Sequence, residues 1–365
     1  MTETAHGILP AQAIGAMFTR GEISAPRHPD ADQIQPASLD LRLGPLAYRV
    51  RASFLPGVGA KVMDKLDKLK LHAFDLTRGA VLETGCVYIV PLMEGLSLSA
   101  AVSATTNPKS STGRLDVFTR VITDEGRAFD TVPAGYRGPL YAEISPRTFP
   151  VLVREGSRLS QIRFRTGDPF VQDADLRAIH AEHMLVAGGD TTIGGGVHLT
   201  IDLEGKGPGS LIGYRGKRHT GVIDMDAKAA QEPLDFWEPI VHRGDSTLIL
   251  DPNEFYILVS REAVHVPPLF AAEMVPFDPL VGEFRVHYAG FFDPGFGHST
   301  LGGGSRAVLE VRSHEVPFIV EHGQTVGRLV YEHMLERPEA LYGEGIGSNY
   351  QGQALKLSKH FRASA

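Results

Sequence analysis

An internal repeat constrains the fold of this sequence more than any other feature. Tyr88 matches Tyr256, and Glu143 matches Glu310 at almost the same offset along the chain. The matches keep one order, and glycines and prolines match glycines and prolines. Self-similarity of this kind indicates a tandem duplication of one domain. Further matched pairs are Ile89 with Ile257, Glu94 with Glu262, Ala104 with Ala272, Pro108 with Pro276, Pro150 with Pro317, Val153 with Val320 and Gly156 with Gly323.

The predicted boundary between the repeats lies between Asp168 and Gly207, where glycine, aspartate and threonine residues cluster. Such a stretch is typical of a loop. We therefore predict an N-terminal domain over residues 1–185 and a C-terminal domain over residues 186–365. A length of 365 residues is compatible with two domains.

Most of the sequence consists of short apolar runs that are separated by glycine, proline, aspartate and asparagine. Segments with helical periodicity are few, and the chain has 40 glycine and 24 proline residues. This pattern predicts an all-β fold, either a barrel or a sandwich, with few short helices. The clearest predicted strands are Cys86–Leu92, Arg147–Val153, Arg158–Phe164, Glu254–Val259, Arg306–Val311 and Thr325–Tyr331.

The composition argues against several classes of function. The formal net charge of −7 disfavours a general electrostatic interaction with DNA or RNA. Cys86 is the only cysteine, so the chain can form neither an intramolecular disulfide nor a multi-cysteine metal site. No signal peptide and no apolar run of about 18 residues is present. We therefore expect a soluble cytoplasmic protein without a nucleic-acid or membrane partner.

The two repeats differ in the segments that are richest in polar chemistry. The first repeat has KSSTGR (109–114), whereas the aligned segment FDPLVG (277–282) has neither its hydroxyls nor its cations. Neighbouring hydroxyls and cations suit a triphosphate, because charge-assisted hydrogen bonds to phosphate oxygens are strong. The second repeat has AGFFDPGFG (289–297), where the first has the looser VITDEGRAFDTVPAGYRG (121–138). Each repeat has therefore kept a different part of a site.

Four motifs in this order resemble those of dCTP deaminases, in the dCTP deaminase/dUTPase superfamily. They are QPASLDLRLG (35–44), KSSTGR (109–114), AGFFDPGFG (289–297) followed by VLE (308–310), and SNYQGQ (348–353). The resemblance covers nearly the whole chain. It implies two tandem dUTPase-like barrels of the β-clip or jelly-roll type. It also implies hydrolytic deamination of dCTP to dUTP and ammonia, in the biosynthesis of dUTP and dTTP.

The chain departs from the family in its double length. Single-length members are homotrimers whose sites are built from parts of neighbouring subunits. Because the motifs are split between two repeats here, the resemblance places each site where a first half meets a second half, within or between chains. It therefore implies a homo-oligomer that binds dCTP and dUTP. Some relatives are also inhibited by dTTP.

The resemblance assigns roles to individual residues. Glu310 is the candidate general base and follows an intact hairpin, whereas Glu143 follows an altered one and is expected to be a paired strand carboxylate. Arg114 orients the catalytic carboxylate and water, and Asp40 either holds Arg114 or reaches a magnesium-bound water. Asp293 either begins a turn only or also faces the sugar. The remaining candidate substrate-binding residues are Lys109, Ser110 and Ser111 for the phosphates, Tyr288, Ala289 and Gly290 for the base edge, and Tyr350 and Gln353 in a C-terminal lid.

One motif matches part of a zinc-binding signature. His180-Ala181-Glu182 matches the first half of the zinc deaminase signature, but the second half requires two downstream cysteines. Cys86 is alone and lies upstream. We therefore expect a deaminase that works without zinc, with Mg²⁺ as the cofactor that accompanies the triphosphate.

Two alternative functions remain open. A dUTP pyrophosphatase, or a bifunctional deaminase and pyrophosphatase, would use the same fold and phosphate motif with a water directed at the α-phosphate. A non-catalytic β-barrel that binds nucleotides would explain why one half has lost KSSTGR. An assay of ammonia and pyrophosphate release distinguishes the three functions.

Overall fold

The computed structural model describes residues 6–276, 284–286, 290–298, 303–313, 315–343 and 350–363. The chain divides into two units, each built from three stretches of sequence. Unit 1 comprises Met1–Pro169, His219–Ala230 and Met334–Glu339, and unit 2 comprises Phe170–Arg218, Gln231–His333 and Ala340–Ala365. Residues 170–185, which belong to the predicted N-terminal domain, therefore lie in unit 2.

Strands predominate, and the helices are short, which confirms the predicted all-β fold. Among the helices of the described residues, none combines the length and apolar character needed to span a bilayer. In chain order the elements are β1 (Gly7–Ile8), α1 (Ala11–Thr19), β2 (Ile23–Ser24), β3 (Ile34–Gln35), β4 (Ser38–Arg42), β5 (Leu46–Val50), α2 (Val62–Leu69), β6 (Lys70–Asp75), β7 (Ala80–Leu82), β8 (Val87–Ser97), β9 (Val102–Pro108), α3 (Ser110–Gly113), β10 (Val117–Thr123), β11 (Thr131–Val132), β12 (Arg137–Pro146), β13 (Val151–Val153), β14 (Arg158–Thr166), α4 (Asp173–His183), β15 (Val197–Thr200), β16 (Leu211–Gly216), β17 (Ile223–Asp224), α5 (Pro233–Phe236), β18 (Trp237–Val241), β19 (Thr247–Leu250), β20 (Phe255–Val264), β21 (Phe270–Pro276), β22 (Phe284–Val286), β23 (Phe291–Phe292), β24 (Ser305–Ser313), β25 (Phe318–Glu321) and β26 (Thr325–His333).

Within the described residues, the strands of each unit form two main sheets and one small one. In unit 1 the strand orders are β11-β9-β14-β4-β3, β10-β12-β8-β5-β6 and β17-β13-β7. In unit 2 they are β15-β26-β21-β23, β18-β16-β20-β24-β22 and β19-β25. Strand β17 comes late in the chain, yet it pairs with β13 of unit 1 in a parallel orientation. The two sets of sheets have corresponding strands in corresponding places.

The central strand pair has the same register in both units. In unit 1, β8 and β12 are antiparallel, and Ile89 lies opposite Glu143. In unit 2, β20 and β24 are antiparallel, and Ile257 lies opposite Glu310. The sequence repeat matches these same residues to each other. The structure therefore supports the internal duplication.

Strand β4 of unit 1 corresponds to β15 of unit 2, but the sequence offset between them differs from that of the central strands. Asp40 on β4 lies opposite Gln161, and His198 on β15 lies opposite Arg328. Gln161 and Arg328 are separated by the same number of residues as Glu143 and Glu310, so the repeat makes them equivalent. Their strand partners, Asp40 and His198, are therefore also equivalent, although fewer residues separate them. The stretch between β15 and β20 is the longer one because it includes residues 219–230, which belong to unit 1.

The core of unit 2 lies between its two main sheets. Apolar side chains of β20 and β24 in one sheet and of β21 and β26 in the other belong to one buried cluster. The members alternate along each strand and therefore share one face of their sheet, as expected for a sandwich. The buried members on these strands include Tyr256, Leu258, Ala272, Met274, Leu309, Val311, Leu329 and Tyr331.

A buried carboxylate fixes the position of β4 in unit 1. Glu94 on β8 accepts hydrogen bonds from the backbone nitrogen and from Nε of Arg42, both at 2.8 Å, and from Nε2 of Gln33 at 2.8 Å. The side chains of Arg42 and Glu94 are fully buried. In unit 2, Glu262 accepts the equivalent backbone bond from Thr200 at 2.7 Å and a second bond from its hydroxyl at 2.6 Å. The unit 2 carboxylate is therefore held by neutral donors where the unit 1 carboxylate has a buried cation.

We predict that Glu94→Gln destabilises the protein more than Glu262→Gln does. The first change removes the closer of the two counter-ions of the buried Arg42 guanidinium and leaves Asp30, 3.6 Å away. Because it weakens hydrogen bonds from a charged donor, it should cost about 2–3 kcal/mol of unfolding free energy. The second change weakens hydrogen bonds from neutral donors and costs about 1–2 kcal/mol. Urea unfolding of the two variants and the wild type measures both values. Equal losses would mean that the ion pair contributes nothing beyond its hydrogen bonds.

Candidate active site

The KSSTGR segment lies directly after β9 in unit 1. Lys109 precedes the single helical turn α3, and its carbonyl accepts hydrogen bonds from Thr112 at 2.8 Å and Gly113 at 3.0 Å. In this turn Ser110 is partly exposed and Ser111 is buried. The predicted phosphate-binding hydroxyls therefore lie on a closed, hydrogen-bonded turn.

Three neighbouring strands bring charged residues to this turn. Strand β14 lies between β9 and β4, so Lys109, which follows β9, reaches Asp40 on β4. The Lys109 ammonium forms an ion pair with Oδ2 of Asp40, and Arg158 Nη1 lies 3.5 Å from the same oxygen. Arg158 also donates to Oδ1 of Asp32 at 2.7 Å. The Asp40 side chain is buried, and the two cations neutralise it.

Arg158 was not among the sequence-predicted site residues, although it begins β14. It lies opposite Arg42 on the neighbouring strand, and this pairing cannot be read from motif spacing. Arg114 is buried at the C-terminal end of α3. The sequence therefore placed Lys109 and Asp40 among the site residues but not Arg158, which lies beside the same aspartate.

Glu143 of unit 1 is a paired carboxylate. It lies on β12 opposite Arg120 of β10, and the side chain is almost completely buried, with 1% of the residue exposed. Arg120 donates to Oε1 of Glu143 from Nη2 at 2.5 Å and from Nε at 3.2 Å. The guanidinium carbon of Arg120 lies 3.4 Å from the ring centroid of Phe129. The carboxylate is therefore neutralised by a stacked arginine.

Asp130 of unit 1 corresponds to Gly290 of unit 2. The carbonyl of Asp130 accepts a hydrogen bond from Thr106 at 3.0 Å, and that of Gly290 accepts one from Met274 at 3.1 Å. Thr106 and Met274 are aligned by the repeat, whereas Asp130 and Gly290 lie closer together in the sequence than the repeat offset. The unit 1 segment therefore carries a carboxylate where the unit 2 segment has no side chain.

Glu310 lies in the middle of β24 and is buried, with 4% of the residue exposed. In the hairpin before it, β23 pairs with β21 through Phe291 and Phe292. Asp293 is buried, and its carbonyl accepts a hydrogen bond from Phe296 at 3.1 Å in the turn that follows. The predicted base-edge residues Tyr288 and Ala289 lie outside the described residues.

Glycine is needed at the end of this hairpin turn. Gly297 has a φ of +72°, and a Cβ there would lie 2.2 Å from the carbonyl oxygen of Val264. Any other side chain would therefore be strained and would also collide with a backbone atom. The AGFFDPGFG sequence specifies a close approach between the turn and β20.

The C-terminal tail packs against this hairpin and against β24. Gln351 accepts a hydrogen bond from the Gly297 nitrogen and donates one to the Gly295 carbonyl, both at 3.2 Å. The Arg306 nitrogen donates to the Gln353 carbonyl at 3.0 Å, and Nε2 of Gln353 donates to the Arg306 carbonyl at 3.1 Å. The tail is thus connected to the strand that carries Glu310.

The rest of the tail is fixed by aromatic and buried contacts. Tyr350 is buried, and its hydroxyl accepts a hydrogen bond from the Lys359 nitrogen at 3.2 Å. Phe361 packs against Phe236 and Trp237 at centroid distances of 5.5 and 6.0 Å. The described tail, residues 350–363, is therefore a packed part of unit 2.

The zinc-like motif, residues 180–182, lies at the C-terminal end of α4. Nε2 of His180 lies 3.1 Å from the carbonyl oxygen of Gly189, and the Glu182 side chain is largely exposed. The imidazole of His180 is therefore bonded to the loop that follows α4.

Asp130 makes the stability of the folded protein depend on pH. Burial of its carboxyl group raises the pKa of Asp130 from 3.8 to about 6, against the lowering effect of hydrogen bonds from Val121 and Thr106. Both bonds reach the same oxygen, Oδ1, at 2.8 Å. Because the folded-state pKa is the higher one, the folded state binds the proton more tightly. Stability is therefore lost as the pH rises through the range from about 4 to 6.

We predict that Asp130→Asn stabilises the protein at pH 7.5 by about 2 kcal/mol, because the amide keeps an acceptor oxygen and removes the buried charge. At pH 4 the gain should shrink towards zero, since the carboxyl group is then protonated in the folded state. Urea unfolding at both pH values tests this. A gain that does not change with pH would show that Asp130 carries no buried charge at neutral pH.

Comparison with known proteins gives one consistent result. Residues 5–168 match the model of the 2′-deoxycytidine 5′-triphosphate deaminase N-terminal domain, and residues 172–361 match that of the C-terminal domain. A solved structure titled 2′-deoxycytidine 5′-triphosphate deaminase from Agrobacterium tumefaciens is 66% identical with a TM-score of 0.88, and the match covers 92% of this chain and 100% of that one.

The curated relatives match a shorter stretch. "dCTP deaminase, dUMP-forming" from Streptomyces coelicolor is 32% identical over 126 residues, which are 33% of this chain and 62% of the relative. The protein of the same name from a Parafrankia species is 33% identical over 128 residues, 34% of this chain and 60% of the relative. These matches span about three-fifths of the curated relatives. With both domain models matched over nearly its whole length, the chain belongs to the 2′-deoxycytidine 5′-triphosphate deaminase family.

Proposed function

We propose that this protein deaminates dCTP by hydrolysis, with Glu310 as the general base and without zinc. The observation that carries the proposal is the difference between the two equivalent carboxylates. Glu143 is neutralised by Arg120 and lies in the unit that has Asp130 in its hairpin segment. Glu310 lies in the unit that has Gly290 at the equivalent position. The unit 2 carboxylate thus belongs to the repeat whose hairpin segment has no side chain where a base would approach.

The chemistry needs one carboxylate that moves protons. Water attacks C4 of the cytosine ring, a carboxylate takes a proton from that water, and protons go to the ring nitrogen and to the leaving ammonia. Glu310 is buried in the middle of a central strand, which supports this role because a carboxylate held in one position can be aligned with the reacting water and base. Gly290 and the neighbouring backbone would present hydrogen-bonding groups to the edge of the base.

The charged group of unit 1 suits the triphosphate. Ser110 and Ser111 would donate hydroxyl hydrogen bonds to phosphate oxygens, and Lys109 would supply positive charge. Asp40 already holds Lys109 and Arg158, so its role here is to orient these cations rather than to bind a metal directly. Mg²⁺ would enter with the triphosphate. In unit 2, Tyr350 and Gln353 of the C-terminal tail would close over the nucleotide.

The names of the curated relatives favour dUMP over dUTP as the final product. They are described as forming dUMP, which corresponds to the bifunctional alternative rather than to release of dUTP. The same phosphate-binding turn would then position a second water at the α-phosphate. We therefore propose dUMP as the final product and dUTP as its precursor at the site.

Incubation with dCTP and Mg²⁺, with ammonia and pyrophosphate measured together, tests the activity and the product. We expect ammonia and pyrophosphate in equal amounts. Release of ammonia alone would support deamination and contradict the second hydrolysis step. Release of pyrophosphate alone would contradict the deaminase activity. Dialysis against a zinc chelator followed by return of Mg²⁺ should leave the rate unchanged. Loss of stoichiometric zinc together with activity would contradict the zinc-free mechanism.

We predict opposite consequences for two equivalent substitutions. Glu310→Gln keeps the size of the side chain but removes the base, so ammonia release should fall by about 10²–10⁴-fold while dCTP still binds. Glu143→Gln should change turnover little. It should lower the unfolding free energy by about 1–3 kcal/mol, because a buried carboxylate that accepts hydrogen bonds from Arg120 loses its charge. Ammonia release, nucleotide titration and urea unfolding measure these effects. An inactive Glu143→Gln variant beside an active Glu310→Gln variant would reverse the assignment.

A further inference from the structure

The side chain of Arg120 sits in unit 1 as a bound ligand would. Its guanidinium carbon lies 3.4 Å from the ring centroid of Phe129 and 4.7 Å from that of Phe118. Its Nη2 donates to Glu143 at 2.5 Å and to the Ser53 hydroxyl at 2.9 Å. A planar cation is thus stacked on one aromatic ring, held by a carboxylate along its edge and bonded to a hydroxyl at its end.

Glu143 has bonding capacity that Arg120 does not use. Both bonds from Arg120 reach Oε1, whereas Oε2 is buried and accepts no hydrogen bond from any of the described residues. A buried carboxylate oxygen without a donor is costly. A cation that is not attached to the chain could turn to place two parallel N–H groups on the two oxygens, which is the preferred geometry of such pairs. The carboxylate therefore fits an amidine edge better than it fits Arg120.

The position that Arg120 occupies lies near the protein surface. Strand β10 is at the edge of its sheet, and 24% of the Arg120 side chain is exposed to solvent. Phe129 lies in the segment before β11, outside the strands. Removal of the arginine side chain would leave the Phe129 ring and the Glu143 carboxylate as the walls of an open site.

We propose that unit 1 contains a second binding site, specific for a planar amidinium or guanidinium cation, which the protein itself occupies with Arg120. Its walls are Phe129, Phe118, Glu143 and Ser53. The ligand class is a flat cation with two N–H groups on one edge, a class that includes the protonated N3–C4–N4 edge of an aminopyrimidine. The site is distinct from the group around Glu310 and does not depend on the proposed activity.

The test removes the internal ligand and supplies an external one. In the full-length protein, Arg120→Ala opens the site, and benzamidine is the probe because it joins an amidinium to a ring that can stack. We expect benzamidine to raise the unfolding temperature of Arg120→Ala and to leave the wild type unchanged, since a ligand stabilises only a protein that binds it. Benzamide, which has the same shape without the charge, should have no effect.

The matched control is the double variant Arg120→Ala/Glu143→Gln. Calorimetric titration should show benzamidine binding to Arg120→Ala at least about ten times more tightly than to the double variant, as expected for loss of a charge-assisted bond. Equal binding to both variants, or no binding to a folded Arg120→Ala, would overturn the proposal. If alanine prevents folding, Arg120→Val keeps a strand-forming residue on β10 and repeats the measurement with the same two outcomes.

Discussion

The antiparallel register of the central strand pair determines where the carboxylate of Glu143 lies in unit 1 and that of Glu310 in unit 2. Glu143 lies opposite Ile89, and Glu310 lies opposite Ile257. A shift of one residue would move every side chain of the strand to the other face of the sheet. Both faces of β12 and β24 are largely buried, so such a shift would put every side chain into packing that does not fit it. Each unit therefore holds a carboxylate in its interior, where it needs a partner or a function.

The two units meet this requirement in different ways. Unit 1 neutralises its carboxylate with Arg120, which stacks on Phe129, and places Asp130 nearby. Unit 2 has Gly290 in place of Asp130, and a packed tail lies beside its carboxylate strand. After duplication one copy was free to fill its interior with its own side chains. The retained register keeps both copies recognisable although their hairpin segments have diverged.

The sequence was sufficient for the features that depend on spacing along one strand. The matches of Ile89 to Ile257 and Glu143 to Glu310 identify the equivalent strands, because the offset stays nearly constant between them. The equivalence of Asp130 and Gly290 could not be found in this way, since the two lie closer together than that offset. Arg158 was missed for a related reason, because its contact with an aspartate of β4 depends on strand neighbours, and sheet order is not encoded in local periodicity.

The division of the chain into discontinuous units has a consequence for how the protein can be dissected. Unit 1 includes His219–Ala230 and Met334–Glu339, which follow long stretches of unit 2 in the sequence. Strand β17 in the first of these segments completes a small sheet with β13. A break after Pro169 would release a fragment that lacks β17, and its other product would carry two segments without their own unit. A single cut of the chain therefore cannot yield two fragments that each contain one complete unit.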